Sequence, residues 1–103
     1  MAPIVEMELS TFEDGMLAAV RGEIDLSNAD RFEELLTRLL AMADGHVVLD
    51  MSAVDFMDVS AFRVLVQAVR SAGVERLALR EPSPNVRVVL DVLAPSYFTI
   101  VEA

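Results

Sequence analysis

Hydrophobic and polar residues follow two different periods along this chain, and these periods predict strands and helices in turn. Residues 5–12, "VEMELSTF", place Val5, Met7 and Leu9 on one face, as a half-buried strand does. The Asp14-Gly15 pair that follows is a hairpin turn signal, and "MLAAVRGEI" then continues as a second strand. The chain is therefore expected to begin with an antiparallel hairpin.

Three later segments carry apolar residues at helical spacing. Ser27, with an acid at Asp30, resembles a capping box, and Ser83-Pro84 resembles an N-cap followed by proline at the first helical position. The expected helices run from behind Ser27 to Asp44-Gly45, from Ala61 to about Ala72 before Gly73, and from Ser83-Pro84 to Pro95.

Further strand-forming runs occupy "HVVLDM", "RLALR" and "YFTIVE". The first is almost continuously apolar, which suits a strand that lies in the centre of a sheet or is covered on both faces. The resulting order, β-β-α-β-α-β-α-β, predicts an α/β fold. Its sheet is mixed but mainly parallel, with helices packed on it, in a single domain of residues 1–103.

The parallel strands bring several loops to one edge of this sheet. The carboxyl ends of parallel strands share an edge, and α/β sheets usually place their sites there. The loops expected at this edge are Asp25-Leu26-Ser27, Ser52 to Ser60, and Glu81-Pro82-Ser83.

Charge and composition narrow the possible functions. The formal net charge of −9 opposes nucleic acid and anionic membranes, and no apolar run approaches the roughly 20 residues of a membrane span. The first residues, "MAPIVEMELS", lack a signal-peptide pattern, so a cytoplasmic protein without membrane insertion is expected. The absence of cysteine excludes disulfides and thiolate chemistry.

Catalytic and metal-binding constellations have little support in the sequence. His46 is the single histidine, and it stands at the start of a strand, opposite the expected site edge. No glycine-rich phosphate loop exists, and the acid pair Asp55 and Asp58 is more typical of solvated caps than of a cation site. An enzyme is therefore the least supported class, and no metal or cofactor is expected.

Ser60 stands where a strand runs into a helix, and two interpretations compete for it. As a cap, its hydroxyl accepts from free N–H groups of the first turn. Asp58 can fill that role equally well, which would leave the hydroxyl exposed at a helix N-terminus, where a phosphate is well accommodated. Phe56, Met57 and Phe62 flank the position, and the following helix is apolar on more than one face. That pattern indicates either a wide core stripe or a docking surface.

Two long segments resemble a known family. "VRGEIDLSNADRFEELL" and "HVVLDMSAVDFMDVSAFRVLV" resemble the STAS domain, in particular the stand-alone anti-sigma factor antagonists of bacteria. Gly22-Glu23-Ile24-Asp25 is similar to the family's Gly-Glu-Leu-Asp motif, and the second segment is similar to its strand, turn and Met-Asp-Ser-Ser-Gly-Leu motif. The ending "SPNVRVVLDVLAPSYFTIV" resembles the last helix and strand of the family.

The resemblance implies a phosphorylation-controlled binding protein. Such a protein binds an anti-sigma factor that is also a serine kinase, and so releases a sigma factor. The kinase phosphorylates one serine and ends binding, and a serine phosphatase restores it. The resemblance places the phosphoacceptor at Ser60 and the accompanying acids at Asp58 and Asp25. The residues expected to contact the partner are Met57, Val59, Ala61, Phe62 and Arg63.

The chain departs from the family pattern around the acceptor. Val59 replaces a first serine, Ala61 a glycine, Phe62 a leucine and Arg63 a small residue. Arg63 lies one turn from Ser60, within reach of Asp58 or of a phosphate on Ser60. Other roles of the same fold stay open: an accessory subunit of a transporter, including the lipid ABC type, a part of a stress-sensing complex, or a small-ligand or nucleotide-binding domain.

Overall fold

The computed structural model describes residues 3–94 and 96–101. Within these residues the chain forms five strands and three helices, in the order that the sequence predicts. They are β1 (Val5–Phe12), β2 (Gly15–Ile24), α1 (Ala29–Met42), β3 (His46–Met57), α2 (Val59–Ala72), β4 (Leu77–Arg80), α3 (Pro84–Leu93) and β5 (Thr99–Val101).

The strands of the described residues form one sheet in the order β1-β2-β3-β4-β5. β1 pairs antiparallel with β2, and each later pairing is parallel. The hairpin turn is Glu13-Asp14, one residue before the predicted pair, because Gly15 already pairs with Phe12. The predicted mixed, mainly parallel sheet is confirmed.

The helices cover one face of the sheet. Each parallel strand is added beyond the previous one in the same direction, so right-handed crossovers place all three helices of the described chain on the same side. On β3, Val47, Leu49 and Met51 are fully buried against them, whereas Val48 and Asp50 on the opposite face stay partly accessible. β3 is therefore central, as predicted, but it is covered on one face only.

β3 is longer than the sequence suggested. The residues after Met51 were expected to form a loop, yet the strand continues to Met57 alongside β2. Two register shifts in the β2–β3 pairing accompany this extension, and Val54 and Met57 point into the core. The irregular spacing of these buried positions hides the strand from a simple period-two pattern. The expected loop from Ser52 to Ser60 therefore shrinks to the single residue Asp58.

Gly22 allows β1 and β2 to pack closely at one of these shifts. Its φ angle is +117°, in the region that favours glycine, and a Cβ there would lie 1.9 Å from the carbonyl oxygen of Ile4. The glycine of the predicted Gly-Glu-Ile-Asp segment is thus required by backbone geometry.

Helix α1 lacks the predicted capping box, and a distant arginine closes its C-terminal end. Asn28, not Ser27, precedes the helix, and its side chain bonds to the backbone of Glu23 and Asp25 rather than capping the helix. Ser27 binds Asp25, an acceptor two residues away that is nearer than the helix N–H groups. At the other end, the Arg76 guanidinium donates to carbonyl oxygens of Leu40, Ala43 and Gly45.

Helix α2 carries a wide core stripe, which decides between the two interpretations of its apolar residues. The helix contacts β3 and β4 as well as α1 and α3, so residues on several of its sides are enclosed. The buried members of the stripe are Ala61, Val64, Leu65, Ala68 and Val69.

The end of the chain follows the prediction in outline. Helix α3 ends at Leu93, and Pro95, which was predicted to stop it, lies outside the described residues. The last strand is shorter than "YFTIVE", since Tyr97 and Phe98 form a turn and a bend before β5. No helix in residues 3–94 and 96–101 has the length and apolar character to cross a membrane.

Candidate functional site

Asp58 is the N-cap of α2 and the centre of the site. One carboxylate oxygen, Oδ1, accepts from the backbone N–H groups of Ser60 at 2.9 Å and Ala61 at 3.2 Å. These are the groups that the first turn of a helix leaves without partners. The other oxygen, Oδ2, accepts from the N–H of Leu26 at 3.1 Å. Asp58 therefore joins the start of α2 to the loop that follows β2.

Ser60 is the second residue of α2, and its hydroxyl is engaged. The Oγ donates to Oδ1 of Asp58 at 2.5 Å, and the residue is half-buried. Of the two cap candidates that the sequence offered, Asp58 caps the helix and Ser60 does not. The expected free hydroxyl is not found, however, because the carboxylate that caps the helix also lies within reach of the hydroxyl.

Asp25 repeats the same local arrangement on the neighbouring loop. Its Oδ1 accepts from the N–H of Ser27 at 2.8 Å and from the hydroxyl of Ser27 at 2.5 Å. Leu26, between these two residues, donates its N–H to Asp58. Asp25, Asp58 and Ser60 thus lie at one edge of the sheet, as the parallel-strand argument predicted.

The third loop fastens α3 to the end of β3. Ser83 precedes α3 as its N-cap residue, but its hydroxyl donates to the carbonyl oxygen of Val54 at 2.5 Å instead of capping the helix. The side-chain amide of Asn85 donates to the carbonyl oxygen of Asp55 at 3.0 Å. These two bonds fix the start of α3 against the strand that leads into the site.

The electrostatics of the site favour an ionised Asp58. Partial burial raises the pKa of its carboxyl, but the hydrogen bonds from the Ser60 hydroxyl and from the N–H groups of Ala61, Ser60 and Leu26 outweigh this effect. The net result is a pKa below the ordinary value of an aspartate. Among the described residues, no group of three or more His, Asp or Glu side chains is arranged to hold a metal ion.

The residues expected to contact a partner divide into two groups. Met57 and Ala61 are 1% and 0% exposed, so they support the site from the core and offer almost no surface to a partner. Val59 is half exposed, and Arg63 is exposed and forms no ion pair within the described residues. Phe62 is half-buried and packs edge-on against Phe98, with the ring centres 6.0 Å apart. Burial therefore argues against direct contact at Met57 and Ala61, and contact at Val59, Phe62 and Arg63 stays a prediction.

An apolar groove beside Asp58 was missed by the sequence analysis. It lies between the end of β3 and the outer side of α3 and has a volume of about 350 Å³. The sequence of α3 contains a signal for this groove, because its apolar residues occupy more than the inner face of the helix. The helical spacing of these residues predicted core positions only. We call it the α3 groove, and its principal lining residues are Phe56, Asp58, Val59, Val88, Val92 and Leu93.

Comparison with models of protein families identifies the family of this chain. The family model of the STAS domain matches residues 6–96, which include the hairpin, all three site loops and α3. The chain belongs to the STAS domain family. A separate comparison with curated individual proteins found no match.

Solved structures share the fold of this STAS domain. An anti-sigma factor antagonist from Mycobacterium paratuberculosis is 20% identical, with a TM-score of 0.83 over 94% of this chain and 85% of that chain. The anti-sigma factor antagonist SpoIIAA in its unphosphorylated form is 18% identical, with a TM-score of 0.75 over 95% of this chain and 88% of that chain. The phosphorylated form of SpoIIAA, a cell fate determinant of Bacillus, is also 18% identical, with a TM-score of 0.69 over 95% and 91% of the two chains. At these identities the likeness establishes the fold.

Proposed function

We propose that this STAS domain is an anti-sigma factor antagonist whose binding is switched off by phosphorylation of Ser60. In this proposal it binds an anti-sigma factor that is also a serine kinase, and it thereby releases a sigma factor. A serine phosphatase reverses the modification. The observation that carries the proposal is a serine hydroxyl held by an N-cap aspartate. The sequence resemblance assigns the role of phosphoacceptor to this serine. The likeness to an antagonist solved in both phosphorylated and unphosphorylated forms supports it.

Asp58 orients the hydroxyl for phosphoryl transfer rather than deprotonating it. Its carboxylate holds the Ser60 O–H at 2.5 Å, but its pKa lies below the ordinary value, which makes it a weak base. The kinase must therefore supply the group that takes the proton as Ser60 Oγ bonds to the γ-phosphorus of ATP and ADP leaves.

Phosphorylation changes the charge of the site more than its fold. The modified Oγ has no proton to donate to Asp58, and it gains a charge of about −1.5 to −2 beside that carboxylate. The positive end of the α2 helix dipole and the guanidinium of Arg63, one turn away, offset much of this repulsion within the domain. A partner surface that covers Ser60 must desolvate the dianion. A penalty of about 3 kcal/mol weakens binding roughly a hundredfold.

The test is phosphorylation by the anti-sigma kinases of the source organism. The purified domain is incubated with each kinase and ATP, and the product is followed by intact mass and then mapped by peptide analysis. One phosphate on Ser60 is expected, with none on the Ser60→Ala variant. Ser27→Ala is the matched control, because Ser27 donates to an aspartate two residues earlier in the same geometry.

Binding measurements complete this test. Ser60→Ala is expected to bind the kinase whether or not ATP is present, and Ser60→Asp is expected to bind at least tenfold more weakly. Phosphate that maps to Ser27, Ser52 or Ser83, or no phosphate from any of these kinases, would leave Ser60 with only a structural role.

A further inference from the structure

The outer side of α3 exposes apolar residues that a lone domain has no reason to expose. The inner residues Val86 and Leu90 are buried, whereas Val88 and Val92 on the outer side are 62% and 73% exposed. Single exposed apolar residues are ordinary, but these line one groove together with Phe56 and Leu93, and contiguous patches of this kind mark interaction sites.

The α3 groove is continuous with the Asp58–Ser60 turn. Asp58 and Val59 line the groove, and the next residue is the proposed phosphoacceptor. The groove is also preformed, because bonds from Ser83 to Val54 and from Asn85 to Asp55 hold α3 against β3. A partner that covers Ser60 therefore meets a rigid apolar groove beside it, and a preformed surface lowers the entropy loss on binding.

The charges around the groove select the kind of occupant. Asp58 lines the groove, and Asp55 and Asp91 adjoin groove residues in the sequence. One cation, Arg87, adjoins Val88, so acids outnumber bases around the groove, and the whole chain carries a formal charge of −9. A second copy of the chain would bring the same acids face to face, and an anionic membrane would repel them. A protein with an apolar anchor and basic residues at its rim fits both the lining and the charge.

We propose that the α3 groove receives a large apolar side chain of the anti-sigma kinase, flanked by lysine or arginine. This inference rests on the proposed function and adds a second contact to it, outside the motif that carries Ser60. A side chain seated there lies next to Val59, so the phosphate added to Ser60 weakens the contact at the rim of the same interface.

The experiment compares two exposed valines in kinase binding. Val92→Asp and, as a second variant, Val88→Asp place a charge in the groove, while Val92→Thr removes apolar character at almost constant shape. Val74→Asp is the matched control, because Val74 is 46% exposed and lies beyond the C-terminal end of α2, away from the groove. The probe is the kinase that phosphorylates the wild-type domain, and Kd is measured by calorimetry with ADP. Thermal unfolding verifies that each variant is folded.

The expected result is a loss of at least tenfold in affinity for Val92→Asp and Val88→Asp, a smaller loss for Val92→Thr, and none for Val74→Asp. If Ser60 is phosphorylated but the groove variants bind as tightly as Val74→Asp, the groove inference is overturned and the proposed function stands. If no anti-sigma kinase binds or phosphorylates the domain, both are overturned. Sedimentation that detects a dimer abolished by Val92→Asp, or flotation with anionic vesicles abolished by it, would assign the groove to another occupant and overturn the inference.

Discussion

Asp58 performs three tasks at the scale of a single residue. It caps α2, it ties the loop after β2 to that helix through the N–H of Leu26, and it holds the hydroxyl of Ser60. Each task uses the ionised carboxylate as an acceptor, which explains why its pKa is lowered despite partial burial. A site built on one acid in this way responds to any change in that acid's charge.

Replacing Asp58 by asparagine is expected to destabilise the domain by about 1 kcal/mol at pH 7. The amide retains one acceptor oxygen, but its NH₂ group cannot accept from Leu26. The measurement is the free energy of unfolding in urea. Asp55→Asn is the control, since the Asp55 side chain has no hydrogen bond within the described residues, and equal stability of the two variants would contradict the capping role.

The stability difference between the wild type and Asp58→Asn should depend on pH, and the lowered pKa of Asp58 fixes the direction of this dependence. The pKa of Asp58 is lower in the folded domain than the unfolded value of 3.8, so its contribution to stability is present above that value. It is lost as the pH falls through the lower, folded pKa. Urea unfolding at a series of pH values should show the difference between wild type and Asp58→Asn shrinking below about pH 4. A difference that grows in acid would contradict this assignment.

Single side chains and close backbone contacts position the elements. Arg76, at the start of β4, closes the C-terminal end of α1, a helix with no basic residue in its own last turn. It satisfies carbonyl groups that the helix leaves without partners and joins them to Gly45, just before β3. The crossover from α1 to β3 is thereby tied to β4.

Arg76→Ala is expected to lower the free energy of unfolding by about 2–3 kcal/mol, because charge-assisted bonds to half-buried carbonyl groups are lost. Arg38→Ala is the control. Arg38 forms only an exposed ion pair with Glu34, which is worth about 0.5 kcal/mol. Urea unfolding of both variants tests this, and similar losses for the two would mean that Arg76 does not support α1.

Substitution of the two glycines with positive φ distinguishes the cost of backbone strain from the cost of a steric clash. Gly73→Ala, where φ is +98° and ψ is +142° and a Cβ would meet no atom within 4 Å, should cost about 1–3 kcal/mol. Gly22→Ala should cost about 3 kcal/mol or more, because the new Cβ also collides with the carbonyl of Ile4. The two variants are compared in urea. Equal losses would show that the β1–β2 contact relaxes without penalty.

At the scale of the whole molecule, acidity and shape act together. The chain carries a formal charge of −9 on a body of 36 × 28 × 24 Å, and the ion pairs among its described residues are all at least partly exposed. Mutual repulsion of the acids therefore outweighs the exposed pairs.

Raising the NaCl concentration is expected to stabilise the domain. Between about 0.01 M and 0.15 M the Debye length falls from about 30 Å to about 8 Å, from the size of the molecule to the size of a local contact. The Tm should rise by a few degrees, since about 1 kcal/mol corresponds to about 4–8 °C in a domain of this length. Calorimetry over this range of NaCl concentration tests this. A falling Tm would mean that the exposed ion pairs dominate.

The sequence by itself determined the order of the elements, the hairpin, and the edge at which Asp25, Asp58 and Ser60 meet. These features depend on local signals, namely apolar period, turn residues and caps, and on the rule that parallel strands align their carboxyl ends. Only the tertiary structure decided how far β3 extends, because its inward residues follow the register shifts against β2 and not a simple period. It also decided that Arg76 closes α1 and that Val88 and Val92 face outward beside the site. Each of these outcomes depends on the distance between residues far apart in the chain, which a linear pattern does not contain.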